Sequence, residues 1–474
     1  MTYKPYPNPI SISVDDKAAP AGVKVVFQPA PEKAAVGQPG KAAGDLLLNG
    51  QTLLVSLGKP EKLTLEAVRQ AGGALANWVI NNNCTALDVD LPSLAAMNLH
   101  GSGKALAEGL WLGAFRFNQY KTDADPLPAV KVNLRGAAEP KPLTEALFRI
   151  EKLCAAVNMA RDWQHQPANV INPLTLAERV TEMAAHFGLK CTVLDDAALA
   201  ELKAGAILDV GKGSKTPARM IILEYPGHNP DPDAKPTVLI GKALTFDTGG
   251  YSLKSVENIL GMKYDKCGGV DVAAALQAAA ALQVKNPVVG IIGAAENMVS
   301  DKAYRPDDIV TAMSGKTIEI ISTDAEGRLV LADCLTYAQK FFQPAAMIDL
   351  ATLTGGVGVA LGRVRAGLMS NDDTLAGHLF EAGEKVHERL WRLPLDEEYV
   401  KLIKADDADI KNSGGRQAHA IIGGTFLRQF VDDSVPWAHL DIASVADADK
   451  DMPYCPKGGT GFGIRLLLDY LEAR

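Results

Sequence analysis

Thr237-Val-Leu-Ile-Gly-Lys242-Ala-Leu-Thr-Phe-Asp247-Thr-Gly-Gly-Tyr-Ser-Leu-Lys254 reads as a buried strand that runs out into a glycine turn. Thr237–Ile240 is a short unbroken apolar run, the pattern of a strand covered on both faces, and Gly249-Gly250 breaks it into a loop. Similar runs stand at Met220–Leu223, Val288–Ile292 and Ala346–Leu350, with helical segments between them. Such alternation predicts a mostly parallel α/β sheet. Val270–Leu282 is alanine-rich and helix-prone, and Leu329–Phe341 has helical spacing. Two acidic stretches precede these helices: Asp247 with Asp265, and Ser322-Thr-Asp324-Ala-Glu326-Gly-Arg328. Both fall in strand-to-helix connections, at the carboxyl edge where open α/β sheets place ligands.

In an extended segment side chains alternate, so Asp324 and Glu326 are expected to point the same way, with Ala325 pointing back. Four carboxylates in an apolar setting repel one another by several kcal/mol unless protons or cations neutralise them, and divalent metals suit oxygen ligands. The eight histidines are dispersed and form no H-E-x-x-H, so a metal here would be held mainly by carboxylates. A bridging Asp247 or Glu326 with Asp265 and Asp324 can hold two ions roughly 3.5–4 Å apart, the spacing of hydrolytic pairs. Lys242 can join only as a neutral amine, which costs about 4–5 kcal/mol from a pKa near 10.4. Lys254 can stay charged and polarise a carbonyl or its oxyanion. Arg328 cannot accept a proton, but its fork suits a bound carboxylate or bicarbonate that can. Thr352-Leu-Thr-Gly355-Gly356 follows a strand and can line a pocket with backbone groups. Gly211-Lys-Gly213-Ser214 lacks the spacing of a phosphate loop.

The chain has 474 residues, 47% hydrophobic and 22% charged, which suits two or three globular domains. Residues 1–140 alternate strand-like Thr52–Ser56 and Ala86–Asp90 with helical Leu63–Val79, an amino-terminal α/β domain. Residues 141–173 read as linker and connecting helix, with helical spacing at Leu143–Asp162, and 174–474 as the catalytic domain. Ala34–Gly44 is expected to be a loop. No apolar run reaches the roughly 18–20 residues of a membrane helix. The first residues lack the apolar core of a secretory signal, which makes the cytoplasm the expected compartment. Six scattered cysteines without a C-x-x-C pair fit reduced thiols. A net charge of -8 with no basic cluster argues against nucleic acid as a partner.

These blocks resemble the leucine aminopeptidase (cytosol aminopeptidase) family, two-metal exopeptidases. Ser322–Leu329 matches the family signature with only its first position changed; Lys242–Lys254, Met262–Asp265, Asp349–Gly355 and Trp437–Ala443 look like family blocks as well. The resemblance is clear over roughly residues 140–474 and weaker at Glu108–Lys121. It implies a smaller amino-terminal α/β, macro-like domain and a larger carboxy-terminal catalytic α/β domain with a mostly parallel central sheet. It implies two divalent ions per subunit, Mn²⁺ or Zn²⁺: Lys242, Asp247, Asp265 and Glu326 hold one, and Asp247, Asp324 and Glu326 the other. Lys254 then stabilises the gem-diolate, and Arg328 holds a bicarbonate that deprotonates the bridging water. Met262, Thr352, Gly355 and Ala443 surround the first side-chain pocket. The implied activity is release of amino-terminal residues, preferably bulky apolar ones such as Leu or Met, from short peptides by a homohexamer. Ser322, Thr248, Gly356 and the pair Lys266-Cys267 depart from the family pattern, and Ala446 stands where larger residues are common; none of these removes a ligand or catalytic group. A binding protein on the same scaffold and a two-metal phosphoesterase are the competing readings, the second weakened by the lack of histidines and of a phosphate cradle.

Overall fold

A computed structural model describes residues 3–16, 22–30, 38–97 and 99–474. The chain divides into two compact units, one formed by Pro5–Asn158 with Ala448–Lys457, the other by Met1–Lys4, Met159–Asp447 and Gly458–Arg474. The first unit holds a six-stranded sheet in the order Ile10–Val14, Val130–Arg135, Ala86–Asp90, Val23–Gln28, Thr52–Leu57, Ala43–Asn49. Every neighbouring pair in it is parallel except the last, a hairpin. The helix Leu65–Asn81 starts at Thr64, whose side chain accepts from the Ala67 amide, as an N-cap should. Part of the loop expected at Ala34–Gly44 lies outside the described residues, and a strand begins at Ala43.

The second unit is built on an eight-stranded sheet in the order Leu390–Arg392, Ala366–Ser370, Trp437–Asp441, Ala346–Ala351, Thr237–Asp247, Val288–Asn297, Arg219–Tyr225, Lys190–Leu194. Its four central strands are mutually parallel, and antiparallel strands flank them. Helices cover these strands, so Val238–Thr245 is buried without a break, and the strand continues past the expected Ile240 to Asp247. Among the described residues, no helix is long and apolar enough to cross a membrane.

Two contacts fix the helix Cys267–Leu282 against this sheet. A Cβ on Gly268 would lie 2.2 Å from the Leu350 carbonyl oxygen, and one on Gly241 would lie 2.4 Å from Gly269 Cα. The helix therefore starts at Cys267, ahead of the Val270 expected from composition, because its first turn needs glycines for close approach. Asp247, Ala351 and Asp441 end neighbouring strands, and Asn297 ends the strand beside Asp247, in register with it across a bulge at Ala295/Glu296. One sheet edge thus presents four strand ends, three of them polar.

Beneath that edge, His439 and Asp349 are register partners on adjacent strands, both fully buried, with His439 Nδ1 2.5 Å from Asp349 Oδ1. Trp437 Nε1 donates to the other carboxylate oxygen at 2.7 Å. Burial pulls the imidazole pKa down, but the Asp349 carboxylate and its hydrogen bond outweigh this and leave it raised. A raised folded value stabilises the fold fully below the unfolded pKa of about 6.5, and this contribution fades as pH climbs through the folded value. His439→Gln is accordingly expected to cost more stability near pH 6 than near pH 9 in urea unfolding. An equal cost at both pH values would refute an imidazolium at this position.

Candidate metal centre

Lys242 lies on the central strand with its side chain 3% exposed, and its Nζ stands 2.9 Å from both Asp265 Oδ1 and Glu326 Oε1. It also donates to the Thr352 carbonyl at 2.9 Å. A Cβ at position 327 would sit 2.6 Å from Lys242 Cε, so the glycine that opens the helix Gly327–Phe342 makes room for this lysine. Asp247 Oδ1 accepts from the Gly249 amide and from Asn297 Nδ2, each at 2.8 Å, and its Oδ2 lies 2.7 Å from Lys254 Nζ. Gly249 and Gly250 have φ of 85° and 61°, the left-handed turn that returns Lys254 to Asp247. Lys254 also pairs with Asp324.

Thr323 joins the two acidic stretches: its hydroxyl donates to the Gly249 carbonyl at 2.6 Å, its amide donates to Ser252 Oγ, and the Ser252 amide donates back to its hydroxyl at 2.7 Å. The expected extended run at Asp324–Glu326 is not what forms. Thr323 and Asp324 sit in a turn, with the Ala325 amide donating to the Ser322 carbonyl. Asp324 therefore faces outward, its side chain 39% exposed, while Glu326 is buried at the start of its helix. The turn is favoured because Asn412 supplies its backbone groups with partners that a strand neighbour would otherwise provide. Asn412 Oδ1 accepts from the Ile321 and Ser322 amides, and its Nδ2 donates to the Ser322 and Ala325 carbonyls.

Asp247, Asp265 and Glu326 each offer an oxygen within 4.8 Å of the others, in a fully buried group. Among the described residues, Asp265 Oδ2 and Glu326 Oε2 have no hydrogen-bond partner. Burial, then Glu326 and Asp265, push the Asp247 carboxyl up to about 7. Burial raises Asp265 and Asp324 as well. For Glu326 burial works in the same direction, but Lys242 and Lys254 overcome it and hold the group below its ordinary value. Both lysines are raised, because the surrounding carboxylates outweigh burial. Four carboxylates against two ammonium groups leave an excess of negative charge, and three clustered carboxylates, two of which carry partnerless buried oxygens, are the chemistry of a divalent-cation site. The donor set fits such an ion.

Arg328 is fully buried, and burial lowers it to about 10. Its Nη1 donates to the Asn412 carbonyl at 2.6 Å, and among the described residues its Nε has no partner. Thr352 Oγ1 donates to Asp265 Oδ1 at 2.7 Å, which puts this residue on the cluster. Gly355 opens the helix Gly355–Leu361, and a Cβ there would meet nothing within 4 Å. Ala443 donates its amide to Asp441 Oδ1, which also accepts from the Leu353 and Thr354 amides, so one carboxylate holds both loops. Met262 begins the short 3-10 turn Met262–Lys266 that carries Asp265. Sequence reasoning missed Asn297, Asn412, Thr323 and Asp441. Asn297 becomes visible once the strand at Val288 is extended to the end of its parallel neighbour, whereas nothing local marks Asn412, whose side-chain partners lie 87–91 residues away.

Fold and centre together define a metal-dependent hydrolase of the α/β class. The chain matches the cytosol aminopeptidase family catalytic domain over residues 158–468 and that family's N-terminal domain over residues 47–124. It is 46% identical to a probable cytosol aminopeptidase of Geotalea uraniireducens (strain Rf4) over 424 residues, covering 89% of this chain and 85% of the relative. The probable cytosol aminopeptidase of Geobacter sulfurreducens is 45% identical, over 89% of this chain and 84% of its own. Among solved structures, the bottromycin maturation enzyme BotP in complex with Mn is similar with a TM-score of 0.86 at 32% identity, over 96% of this chain and 99% of its own. A mutant of tomato leucine aminopeptidase gives a TM-score of 0.86 at 30% identity, over 98% and 97%. This chain belongs to the cytosol (leucine) aminopeptidase family. It is a metallo-aminopeptidase, a hydrolase of peptides that uses divalent metal.

Asn412→Ala removes the acceptor of the part-buried Ile321 and Ser322 amides, at about 0.5–1.5 kcal/mol for each hydrogen bond lost. Unfolding free energy is expected to fall by at least about 1 kcal/mol, with faster hydrogen exchange at these two amides. Unchanged exchange there would show that the turn stands without Asn412.

Proposed function

We propose that the enzyme releases amino-terminal residues from short peptides at a two-metal centre, with Lys242, Asp247, Asp265 and Glu326 holding one ion and Asp247, Asp324 and Glu326 the other. The observation that carries this is the three-carboxylate cluster with its partnerless oxygens on Asp265 and Glu326. When bound, two divalent cations supply Lewis acidity toward the scissile carbonyl and acidify a water, Mn²⁺ and Zn²⁺ both suiting this donor set. Lys242 must release its proton to become a ligand, and the neighbouring acids oppose that release until a cation takes their charge.

The remaining steps fall to groups that carry charge of their own. Lys254, still an ammonium, donates to the oxyanion that develops on the carbonyl. Arg328, buried and with no partner for its Nε–H among the described residues, would hold a bicarbonate, whose chemistry there would be that of a proton acceptor. Met262, Thr352, Gly355 and Ala443 line the pocket for the first side chain, and its small and apolar lining favours Leu or Met. Residues 1–140 form the amino-terminal domain of this enzyme, 141–173 the connection and 174–474 the catalytic domain. The assembly is a homohexamer, a reading supported by exposed Val359, Leu260 and Val256. It works in the cytoplasm, as the relatives' name and the free cysteines suggest.

Leu-p-nitroanilide should be hydrolysed with Mn²⁺, lost on chelation and regained on reloading, with Leu and Met amides preferred over Asp amides. Glu326→Gln should lower kcat at least about 100-fold, the scale of losing one directly acting group, with an unchanged circular dichroism spectrum. Hydrolysis that survives exhaustive chelation, or a Glu326→Gln enzyme of normal kcat, would refute this reading.

A further inference from the structure

Lys266 is fully buried and, among the described residues, has no ion-pair partner. Its Nζ instead donates to three backbone carbonyls: Lys263 at 2.5 Å, Gln166 at 2.9 Å and Gln164 at 3.0 Å. Lys263, from the same 3-10 turn, donates to the carbonyl between them, His165, at 2.9 Å. Three successive carbonyls at and just past the end of the helix Pro140–His165, where the last C=O groups carry partial negative charge, are thus met by two ammonium groups of Met262–Lys266. The anchor on the helix side is firm, since Gln164 Nε2 donates to Asp271 at 2.6 Å and Gln164 Oε1 accepts from the Gly461 amide. The turn itself is a single short 3-10 stretch, weak alone, and so depends on outside ties. Burial pulls the Lys266 amine down to about 7, but three carbonyls around one nitrogen call for three hydrogens, which an ammonium has and a neutral amine lacks.

We propose that Lys266 is a positioning residue: its ammonium serves as a built-in monovalent cation among three carbonyl dipoles, and so fixes the turn that presents Asp265 to the metal centre. The proposal rests on Asp265 being a ligand. Lys266 touches no substrate and supplies no proton; it acts through the backbone of the turn, as groups behind a ligand generally do.

Lys266→Ala removes the ammonium and leaves the three carbonyls facing a space that a small ammonium ion fits. In the metal-free protein, kept so with chelator, this variant is expected to melt several degrees lower than the parent. Ammonium or methylammonium chloride should restore the melting temperature in a saturable way, tetramethylammonium chloride at equal ionic strength should not, and the parent should respond to none of them. Mn²⁺ affinity by calorimetry should fall about 10- to 100-fold and return with methylammonium. Lys266→Met, which keeps the bulk without the charge, should lose affinity similarly but gain nothing from amines. If Lys266→Ala folds only with methylammonium present, that supports the proposal; if it folds in no salt, Lys266→Met decides. Absence of saturable recovery, or Mn²⁺ affinity within about twofold of the parent in either variant, overturns it. A parent that binds no Mn²⁺ at all would instead sink the ligand assignment, while the amine response of the metal-free variant would still report on the clasp.

Discussion

The ammonium of Lys242, held between Asp265 and Glu326 at 2.9 Å on either side, is the contact around which the rest of the centre is arranged. Two carboxylates this deeply buried would repel each other strongly, and the lysine is what lets the strand end, the 3-10 turn and the helix at Gly327 approach one another. Gly327 exists in that position because any side chain would collide with the lysine stem. The Thr352 carbonyl takes a further hydrogen of the same ammonium, which ties a second strand end to the cluster. Lys254 plays the matching part on the outer side, joining Asp247 to Asp324. The centre is thus a charge-balance problem first and a coordination site second.

Much of this was legible in the sequence because parallel strands announce themselves as continuous apolar runs. Thr237, Val288 and Ala346 begin strands where the apolar pattern begins, and the acidic stretches do lie at the carboxyl edge. What the pattern missed were ends. The runs appear to stop at Ile240 and Ile292 because Lys242 and the glycines interrupt apolarity, yet the strands continue to Asp247 and Asn297, where backbone pairing rather than side-chain chemistry sustains them. The relation of Asp324 to Glu326 was also misjudged. Period-two alternation assumes extended backbone, and Asn412, far along the chain, stabilises a turn instead. Long-range single contacts of this kind leave no local trace.

The same contrast separates groups that touch the centre from groups that hold it. Charged residues in dense motifs stand out on reading, because their types are unusual beside glycines. Asn297, Thr323 and Asp441 are ordinary polar residues; the register of adjacent strands brings the Asn297 amide to Asp247 and the Asp441 carboxylate to the loops at Leu353 and Ala443, and Asn297 also donates to the carbonyl of Thr323 in its turn.

The helix Cys267–Leu282 meets the sheet main chain to main chain, through Gly268 against Leu350 and Gly241 against Gly269. At these two points its seat is made of atoms common to every amino acid, so the exchange of one apolar side chain for another elsewhere in the interior leaves them unchanged. Asp265 inherits that indifference. The chain is free to vary its interior widely while its most exacting carboxylate stays where it was.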